Sequence, residues 1–324
     1  MIDNRILQLL VAKGIGDVTI RKFFSHIEKY NYTIDQAFSS TSFFHEIGFR
    51  ANVIDDIFSS STVEKAHKLA LELESENIKM ITLLDSDYPK HLKKSLPNDC
   101  PPILFAKGNL SLLNKASVGF CGSRKASNKG LSIAADCARQ LAEKDIVVVS
   151  GYASGADLAA HGSALRNSGS TVFVLAEGIL RSTIKNEIKN LIDFDNHIFI
   201  SQFSPTVTWN AGNAMKRNSV IIGLSQAMIL VESGKTGGTF AAGEEALNTG
   251  CPLFVIDFAK PEVSAEANPY FIQAGGYPIR GKGGIPNLDK VFTVVEARNA
   301  ELLNAIQTSR SHDRLSFEQI KLDI

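Results

Sequence analysis

Three glycine-rich loops carry the residues of this chain that are best suited to holding a phosphate group. They span residues 122–124, 150–157 and 232–239, and each follows a run of apolar residues. Glycine lets backbone amides approach an anion closely, and a helix that starts after such a loop adds partial positive charge. The pattern therefore predicts an anion-binding face, although any one loop taken alone could be an ordinary tight turn.

Side chains in and near these loops add hydrogen-bond donors of the right kind. The guanidinium of Arg124 can hold a phosphate through two hydrogen bonds, and the Ser123 hydroxyl can donate a further one. The basic segment 216–218 could grip the same anion from the side, or it could be a solvated charge pair. We predict a strand-like run over residues 219–223, directly after this segment.

No catalytic, metal or cofactor site is predicted. None of the three loops has the spacing of a nucleotide-hydrolysing P-loop or of a dinucleotide-binding turn. Asp157 and His161 lie four residues apart on a predicted helix and could form a dyad, but a helix-capping Asp157 and a structural His161 are favoured. The four cysteines contain no CxxC spacing, so the usual zinc and redox signatures are missing.

The overall charge excludes a uniformly basic surface. The 324 residues contain 34 Lys+Arg and 34 Asp+Glu, so a polyanion would have to bind a local patch. One such patch is the loop 122–130, which holds Arg124, Lys125 and Lys129 and no acidic residue. No apolar run approaches the roughly 18 residues of a membrane-spanning helix, and the N-terminus lacks the order of a signal peptide. We expect a soluble, cytoplasmic protein.

The elements that would position these loops alternate regularly. Strand-like runs lie at 81–84, 103–106, 117–121, 146–149, 171–176, 197–200, 227–231 and 253–256. Helix-like runs lie at 131–143, 156–167, 184–192 and 240–248. Continuously apolar strands separated by amphipathic helices are typical of a parallel sheet covered on both faces. The predicted fold class is therefore α/β, with a doubly wound, mostly parallel Rossmann-like sheet.

A small all-helical domain is predicted in front of this sheet. Apolar residues over 1–77 follow the helical period, with an interruption at Gly14-Ile15-Gly16. Such a turn is typical of helix-hairpin-helix or SAM-like modules, where its amides can contact DNA phosphate, and it could equally be a packing turn. The predicted organisation is a helical module over 1–77, a Rossmann-like domain over 78–296 and a helical tail over 297–324.

Four segments resemble motifs of one known family. Residues 150–165 read SGYASGADLAAHGSAL and are similar to the SGxAxGxDxxAHxxAL signature of the DNA-processing protein A family, also called DprA or Smf. Segments 122–124, 217–225 and 233–242 resemble three further motifs of the family, in its order, and the resemblance covers about residues 1–295. Two segments depart from the family pattern. The stretch after Gly178 lacks the usual Tyr-Pro, and residues 209–215 replace the Pro-rich segment that precedes the Arg-Asn pair in the family.

The resemblance implies a non-catalytic protein that binds single-stranded DNA. Family members protect incoming DNA in natural transformation, help to load the recombinase RecA, and dimerise through the Rossmann-like domain; an exposed edge at 227–231 or 253–256 would suit a dimer. Loops and resemblance together predict these phosphate- or DNA-binding residues: Gly122, Ser123, Arg124, Lys125, Ser150, Gly151, Gly155, Lys216, Arg217, Asn218, Ser233, Gly234, Lys235, Thr236, Gly237, Gly238 and Thr239.

The sequence is also compatible with two other functions. Residues 236–245 look partly like a motif of the LOG family, the nucleotide 5′-monophosphate phosphoribohydrolases. In that interpretation the loop holds a ribose phosphate and Glu244 or Glu245 assists cleavage of the N-glycosidic bond. The third possibility is a regulatory module on the same fold that binds a small nucleotide without converting it.

Overall fold

The computed structural model describes residues 2–322, with side chains through residue 305 except that of Lys282. The helices are α1 (Asn4–Val11), α2 (Asp17–Tyr30), α3 (Ile34–Phe38), α4 (Thr41–Glu46), α5 (Ala51–Ile57), α6 (Ser60–Ser75), α7 (Lys90–Ser95), α8 (Asn128–Ala142), α9 (Ala156–Arg166), α10 (Asn186–Lys189), α11 (Ala211–Leu224), α12 (Gly238–Asn248), α13 (Asn268–Gln273) and α14 (Asp289–Leu322). Short 3₁₀ helices lie at Leu110–Asn114, Ile179–Arg181 and Val263–Ala265.

The strands are β1 (Lys79–Thr82), β2 (Ile103–Gly108), β3 (Ser117–Cys121), β4 (Val147–Ser150), β5 (Thr171–Val174), β6 (His197–Ser201), β7 (Ala227–Leu230), β8 (Leu253–Ile256), β9 (Tyr277–Ile279), β10 (Gly281–Lys282) and β11 (Ile285–Pro286). The first nine form one sheet in the order β1-β2-β6-β5-β4-β3-β7-β8-β9. Strands from β6 to β9 pair in parallel, whereas β1 and β2 are antiparallel additions at one edge.

Both faces of the sheet are covered, which confirms the predicted doubly wound α/β class. Successive residues of a strand point to opposite faces. On β4, Val148 joins a core with α8 and α9, whereas its neighbours Val147 and Val149 join a core with α11 and α12. Because each strand contributes apolar side chains to both cores, the sequence shows uninterrupted apolar runs.

The six N-terminal helices share one apolar core with part of the sheet. Phe23 and Phe44 stack at its centre, with ring centroids 5.8 Å apart. The same cluster continues to Phe105, Phe173 and Phe199 on β2, β5 and β6. The Gly14-Ile15-Gly16 turn lies between α1 and α2, and Ile15 packs against this core.

The predicted strand at 219–223 is wrong, because these residues belong to α11. Asn210 caps this helix by accepting the backbone N–H of Asn213 (2.7 Å). The helix packs on the sheet and buries most of its second half, including Val220, Ile221 and Ile222. A short apolar run cannot distinguish a buried helix from a buried strand, which explains the error.

Other boundaries shift in smaller ways. The helix predicted at 184–192 is only the single turn of α10, and β5 ends two residues before the predicted boundary. β7 and β8 lie inside the sheet, so neither is the edge that a dimer was expected to use. The tail predicted over 297–324 falls within α14, apart from residues 323 and 324, which lie outside the described residues. Across residues 2–322, no helix has the length and apolar character needed to cross a membrane.

Candidate functional site

The winding of the sheet reverses between β3 and β7. β4, β5 and β6 follow on one side of β3, while β8 and β9 follow on the other side of β7. In sheets of this kind ligands bind at the carboxyl ends of the strands beside such a reversal. The loops that leave β3 and β7 there are residues 122–127 and 231–237, two of the three predicted glycine loops.

A cavity of about 370 Å³ opens at this point, within the range typical of ligand sites. We call it the phosphate cavity. Of the predicted residues, the structure brings together at its wall Gly122, Ser123, Arg124, Arg217, Asn218, Gly234, Thr236, Gly238 and Thr239. Glycines and hydroxyl residues from the loops after β3 and β7 therefore face two arginines from different elements.

Glycine is required where the loops touch each other. A Cβ on Gly122 would lie 2.4 Å from the Cβ of Ala156, and one on Gly155 would lie 2.5 Å from the carbonyl oxygen of Ser123. Gly155 also has a φ of +81°, which strains any other residue. These contacts hold the start of α9 against residues 122–124, so the loops form one rigid wall.

Arg217 is the central charged residue of the site. It is only 6% exposed, and its Nε and Nη1 find no acceptor among the described residues. Its guanidinium presses on Gly151, where a Cβ would lie 1.3 Å from Nη1. Burial lowers the pKa of Arg217, and the carboxylate of Asp157 acts in the opposite sense. Buried donors in native proteins nearly always have protein, water or ligand partners. Because the Arg217 side chain also lines the cavity, its charge favours an anion there.

Asp157 and His161 do not form a catalytic dyad. The buried carboxylate of Asp157 accepts the backbone N–H groups of Gly151 and Ala153, both at 3.2 Å, and its helix begins instead with Gly155 as the cap. Burial raises the pKa of Asp157, and Arg217 counteracts this rise. Asp157 therefore shapes the loop under Arg217 rather than capping α9.

His161 has a structural role, as expected. Its Nδ1 lies 2.5 Å from the hydroxyl oxygen of Thr171, whose own proton is donated to the carbonyl of Val148 (2.8 Å). Nδ1 must therefore be the donor. Burial lowers the pKa of His161 to about 3, so the ring stays neutral at physiological pH.

Glu232 supports the site from behind and was not predicted. Its side chain is fully buried and accepts hydrogen bonds from the backbone N–H (2.8 Å) and the hydroxyl of Ser127 and from the hydroxyl of Ser264 (2.7 Å). Its backbone carbonyl accepts the N–H of Ser123 (2.9 Å). Glu232 thus joins the loop after β7 to the loop after β3.

A second cavity of about 270 Å³ adjoins the first, and we call it the aromatic cavity. The two share Arg124, Ala153 and Arg217 as lining residues. Side chains that the sequence did not single out also line it: Tyr152, Glu177, Arg181, Thr183, Lys185 and Trp209. Four of them, Arg181, Thr183, Lys185 and Trp209, lie in the segments that depart from the family pattern, which is the only signal that the sequence offered.

Lys185 is fixed at the wall of the aromatic cavity. Its Nζ donates to the carbonyl of Tyr152 (2.5 Å) and lies 4.4 Å from the centre of that ring. Its backbone N–H donates to the Tyr152 hydroxyl (2.6 Å). Burial lowers the pKa of the Lys185 amine. The pair holds the segment after Gly178 against the loop after β4.

Eight of the predicted residues lie outside the wall of the phosphate cavity. Lys216 pairs with Asp17 of α2 (2.6 Å), and Lys235 pairs with Glu266 (3.2 Å). Gly151 lines the aromatic cavity instead. The remaining five line neither cavity: Lys125, Ser150, Gly155, Ser233 and Gly237.

Beside Gly155, the two serines of these five have structural roles. The hydroxyl of Ser150 donates to the carbonyl of Phe120 (2.8 Å), and the backbone N–H of Ser233 donates to Asn268 (3.0 Å). Both serine side chains are buried.

The two glutamates of the hydrolase alternative lie away from both cavities. Glu244 accepts the hydroxyl of Tyr270 (3.2 Å), and Glu245 is half-buried on the same helix, where burial raises its pKa. Neither lines the phosphate cavity or the aromatic cavity. The glutamate that this reaction would use is therefore not in place.

Comparisons with known sequences give one consistent family. The profile of the family described as DNA recombination-mediator protein A matches residues 79–284. DNA processing protein DprA of Streptococcus pneumoniae is 31% identical over 215 residues, which cover 66% of this chain and 74% of that protein. DNA processing protein DprA of Bacillus subtilis is 28% identical over 244 residues, which cover 73% of this chain and 78% of that protein.

Solved structures agree with the sequence comparisons. The X-ray structure of DNA processing protein A from Streptococcus pneumoniae has a TM-score of 0.70 at 26% identity and covers 88% of this chain and 97% of its own. The structure of DNA processing protein A from Helicobacter pylori has a TM-score of 0.54 at 20% identity, and the match covers 70% of this chain and 96% of that one. The second likeness extends to the fold alone.

Proposed function

The chain belongs to the DNA recombination-mediator protein A family, and on that premise we propose that it binds single-stranded DNA through backbone phosphates in the phosphate cavity. The observation that carries this proposal is Arg217, whose buried guanidinium has donors without acceptors at the floor of the cavity. A phosphate oxygen would satisfy them with charge-assisted hydrogen bonds once the guanidinium turns towards the cavity.

The chemistry of the wall favours a phosphate over a base or an apolar ligand. Arg124 and Arg217 supply positive charge, while Thr236, Thr239 and Ser123 supply hydroxyl donors beside glycine amides. Such a site contacts the backbone, so binding should be insensitive to sequence and should weaken with salt. DNA processing protein A of Helicobacter pylori, which shares this fold, binds single-stranded DNA. The ligand proposed here belongs to the same class.

The cellular role that we propose follows the family. The chain would protect incoming single strands during natural transformation and recombination and assist the loading of RecA. It would act as a homodimer and work in the cytoplasm without catalysing a reaction. The site lies entirely within residues 120–264, inside the region that the family profile matches.

Replacing Arg124 by alanine tests the proposal. Arg124 is exposed and lines both cavities, so the loss of one charge-assisted contact should cost about 1.4 kcal/mol, or tenfold in Kd. Fluorescence anisotropy of labelled single-stranded and double-stranded oligonucleotides at two salt concentrations measures this. Lys125→Ala is the matched control: it removes a neighbouring exposed charge outside both cavities and should cost less than threefold.

The wild type should bind single strands in preference to double strands, and more weakly at the higher salt concentration. Equal affinity for both strand forms, or equal losses in the two variants, would contradict the proposal. Absence of binding to either form would direct the same assay to labelled mononucleotides.

Binding should strengthen as the pH falls from 8 to 5. Glu177 lines the aromatic cavity, and burial raises the pKa of its carboxyl above 4.5, with Lys185 and Arg217 acting in the opposite sense. The ionised carboxylate repels a polyanion, and this repulsion disappears as the pH falls through the raised pKa. One charge near the strand is worth about 0.7 kcal/mol, or threefold in Kd.

Glu177→Gln should bind about threefold more tightly than the wild type at pH 8, and the difference should shrink towards pH 5. An anisotropy titration with oligo-dT, whose bases do not titrate in this interval, measures both profiles. Glu177 is one of the carboxylates that raise the pKa of Lys185, so Glu177→Gln also lowers the pKa of that amine, which acts against the expected gain in affinity. Profiles that run parallel over the whole interval would show that Glu177 does not face the DNA.

A further inference from the structure

Trp209 is an exposed aromatic residue beside the phosphate cavity. It is the only tryptophan of the chain, it lines the aromatic cavity, and it is 49% exposed. Tyr152, the other aromatic residue of that wall, is buried and already covered by Lys185. Trp209 is therefore the more exposed aromatic ring of this cavity, and Arg124 covers one of its faces.

The loop that carries Trp209 is held in place by backbone contacts. The carbonyls of Pro205 and Val207 accept the N–H groups of Leu180 (3.0 Å) and Gly178 (2.8 Å). A Cβ on Gly178 would lie 2.3 Å from Pro205, so the two segments touch directly. These contacts hold the backbone up to residue 207, two residues before Trp209, beside the aromatic cavity.

Arg124 links Trp209 to the phosphate cavity. Its guanidinium lies over the indole, with Cζ 5.4 Å from the ring centre, and the same side chain lines both cavities. In a nucleic acid strand a phosphate and its base are separated only by the sugar. A phosphate held by Arg217 and Arg124 would therefore place the adjoining base at the aromatic cavity.

We propose that the aromatic cavity is a base-binding subsite in which the indole of Trp209 stacks on one DNA base next to the bound phosphate. The inference rests on the proposed single-stranded DNA binding and assigns a role to a residue that none of the family motifs contains. Stacking on an aromatic side chain tolerates any base, because every base has a π face. It also excludes a duplex, whose bases are already stacked and paired.

The single tryptophan allows the stacking to be observed directly. Excited at wavelengths that the six tyrosines do not absorb, the intrinsic fluorescence of the wild type reports on Trp209 alone. We expect saturable quenching by an oligo-dT strand, and no quenching by an abasic strand of equal length, which carries the same phosphates. The abasic strand should still bind, but about tenfold more weakly, since base stacking is worth about 1–3 kcal/mol.

Variants separate stacking from other effects. Trp209→Ala should lose about tenfold in affinity for oligo-dT and nothing for the abasic strand, whereas Trp209→Phe should recover most of the loss. Phe194→Ala removes another exposed aromatic side chain (82% exposed), outside both cavities, and should bind like the wild type.

The two proposals fail in different ways. If the wild type binds neither strand, single-stranded DNA binding itself is refuted. If the wild type binds oligo-dT and the abasic strand equally well, or if Trp209→Ala weakens both equally, the phosphate site stands and the base subsite is refuted.

Discussion

Replacing Arg217 by alanine is expected to weaken binding of single-stranded DNA about 100-fold. Two donors of this buried guanidinium have no acceptor among the described residues, and a shift of the side chain towards the cavity would let a phosphate accept both as charge-assisted hydrogen bonds. At about 1.5 kcal/mol each the loss is roughly 3 kcal/mol, or two factors of ten in Kd. Anisotropy titration measures the Kd, and a thermal melt checks that the variant folds.

A second variant tests the position of the guanidinium without removing its charge. In Gly151→Ala the new Cβ would lie 1.3 Å from Nη1 of Arg217, so the guanidinium must move away from its place between the cavities. We expect a loss of at least tenfold. The matched control is Lys216→Ala on the same helix: it removes a charge that is paired with Asp17, and it should change the Kd less than threefold.

Arg217→Ala and Lys216→Ala with similar small losses would show that the helix contributes only diffuse charge. A folded Arg217→Ala variant with the affinity of the wild type would remove the main support for the phosphate cavity.

Replacing Glu232 by alanine is expected to lower the free energy of unfolding by about 4 kcal/mol. The fully buried carboxylate accepts three hydrogen bonds, and truncation leaves those donors unsatisfied and opens a void. Glu232→Gln keeps the volume and one good acceptor, so we expect about half of that loss. Urea denaturation followed by circular dichroism gives the free energy of unfolding of the wild type and of both variants.

Glu64→Ala is the control for removing a carboxylate. Glu64 lies exposed on α6, so its replacement should stay within about 0.5 kcal/mol of the wild type. A loss below about 1 kcal/mol for Glu232→Ala would mean that the serine hydroxyls and amide find other partners. In that case Glu232 would not be what fixes residues 122–127.

The position of the site was predictable from the sequence for a topological reason. Glycine and small polar residues follow apolar runs at 122 and 232, and parallel strands bring their carboxyl ends to one edge. That rule predicts a site on this edge of the sheet. The partners of each side chain follow from tertiary contacts instead. Lys216 and Arg217 are equivalent by type, but only the fold brings Asp17 to Lys216 and leaves Arg217 facing the cavity.

Other features of the site could not be predicted because they depend on loops and burial. The continuous apolar run 220–222 fits a buried strand as well as a buried helix, so α11 was assigned to the wrong class. Trp209 and Lys185 lie in segments without periodicity, and their approach to the cavity depends on the contacts of Gly178 and Tyr152. The sequence shows Glu232 only as one residue of a loop. Its supporting role could not be predicted, because it depends on the burial of its side chain.

We propose that a DNA phosphate occupies the cavity between Arg217 and the loop after β3. A crystal structure of the chain with a short oligo-dT strand tests it most directly. We predict a phosphate within hydrogen-bond distance of the Arg217 guanidinium and of the 122–124 loop, with one base on Trp209. An ordered strand on another face of the protein, with the cavity free of phosphate, would refute this binding site.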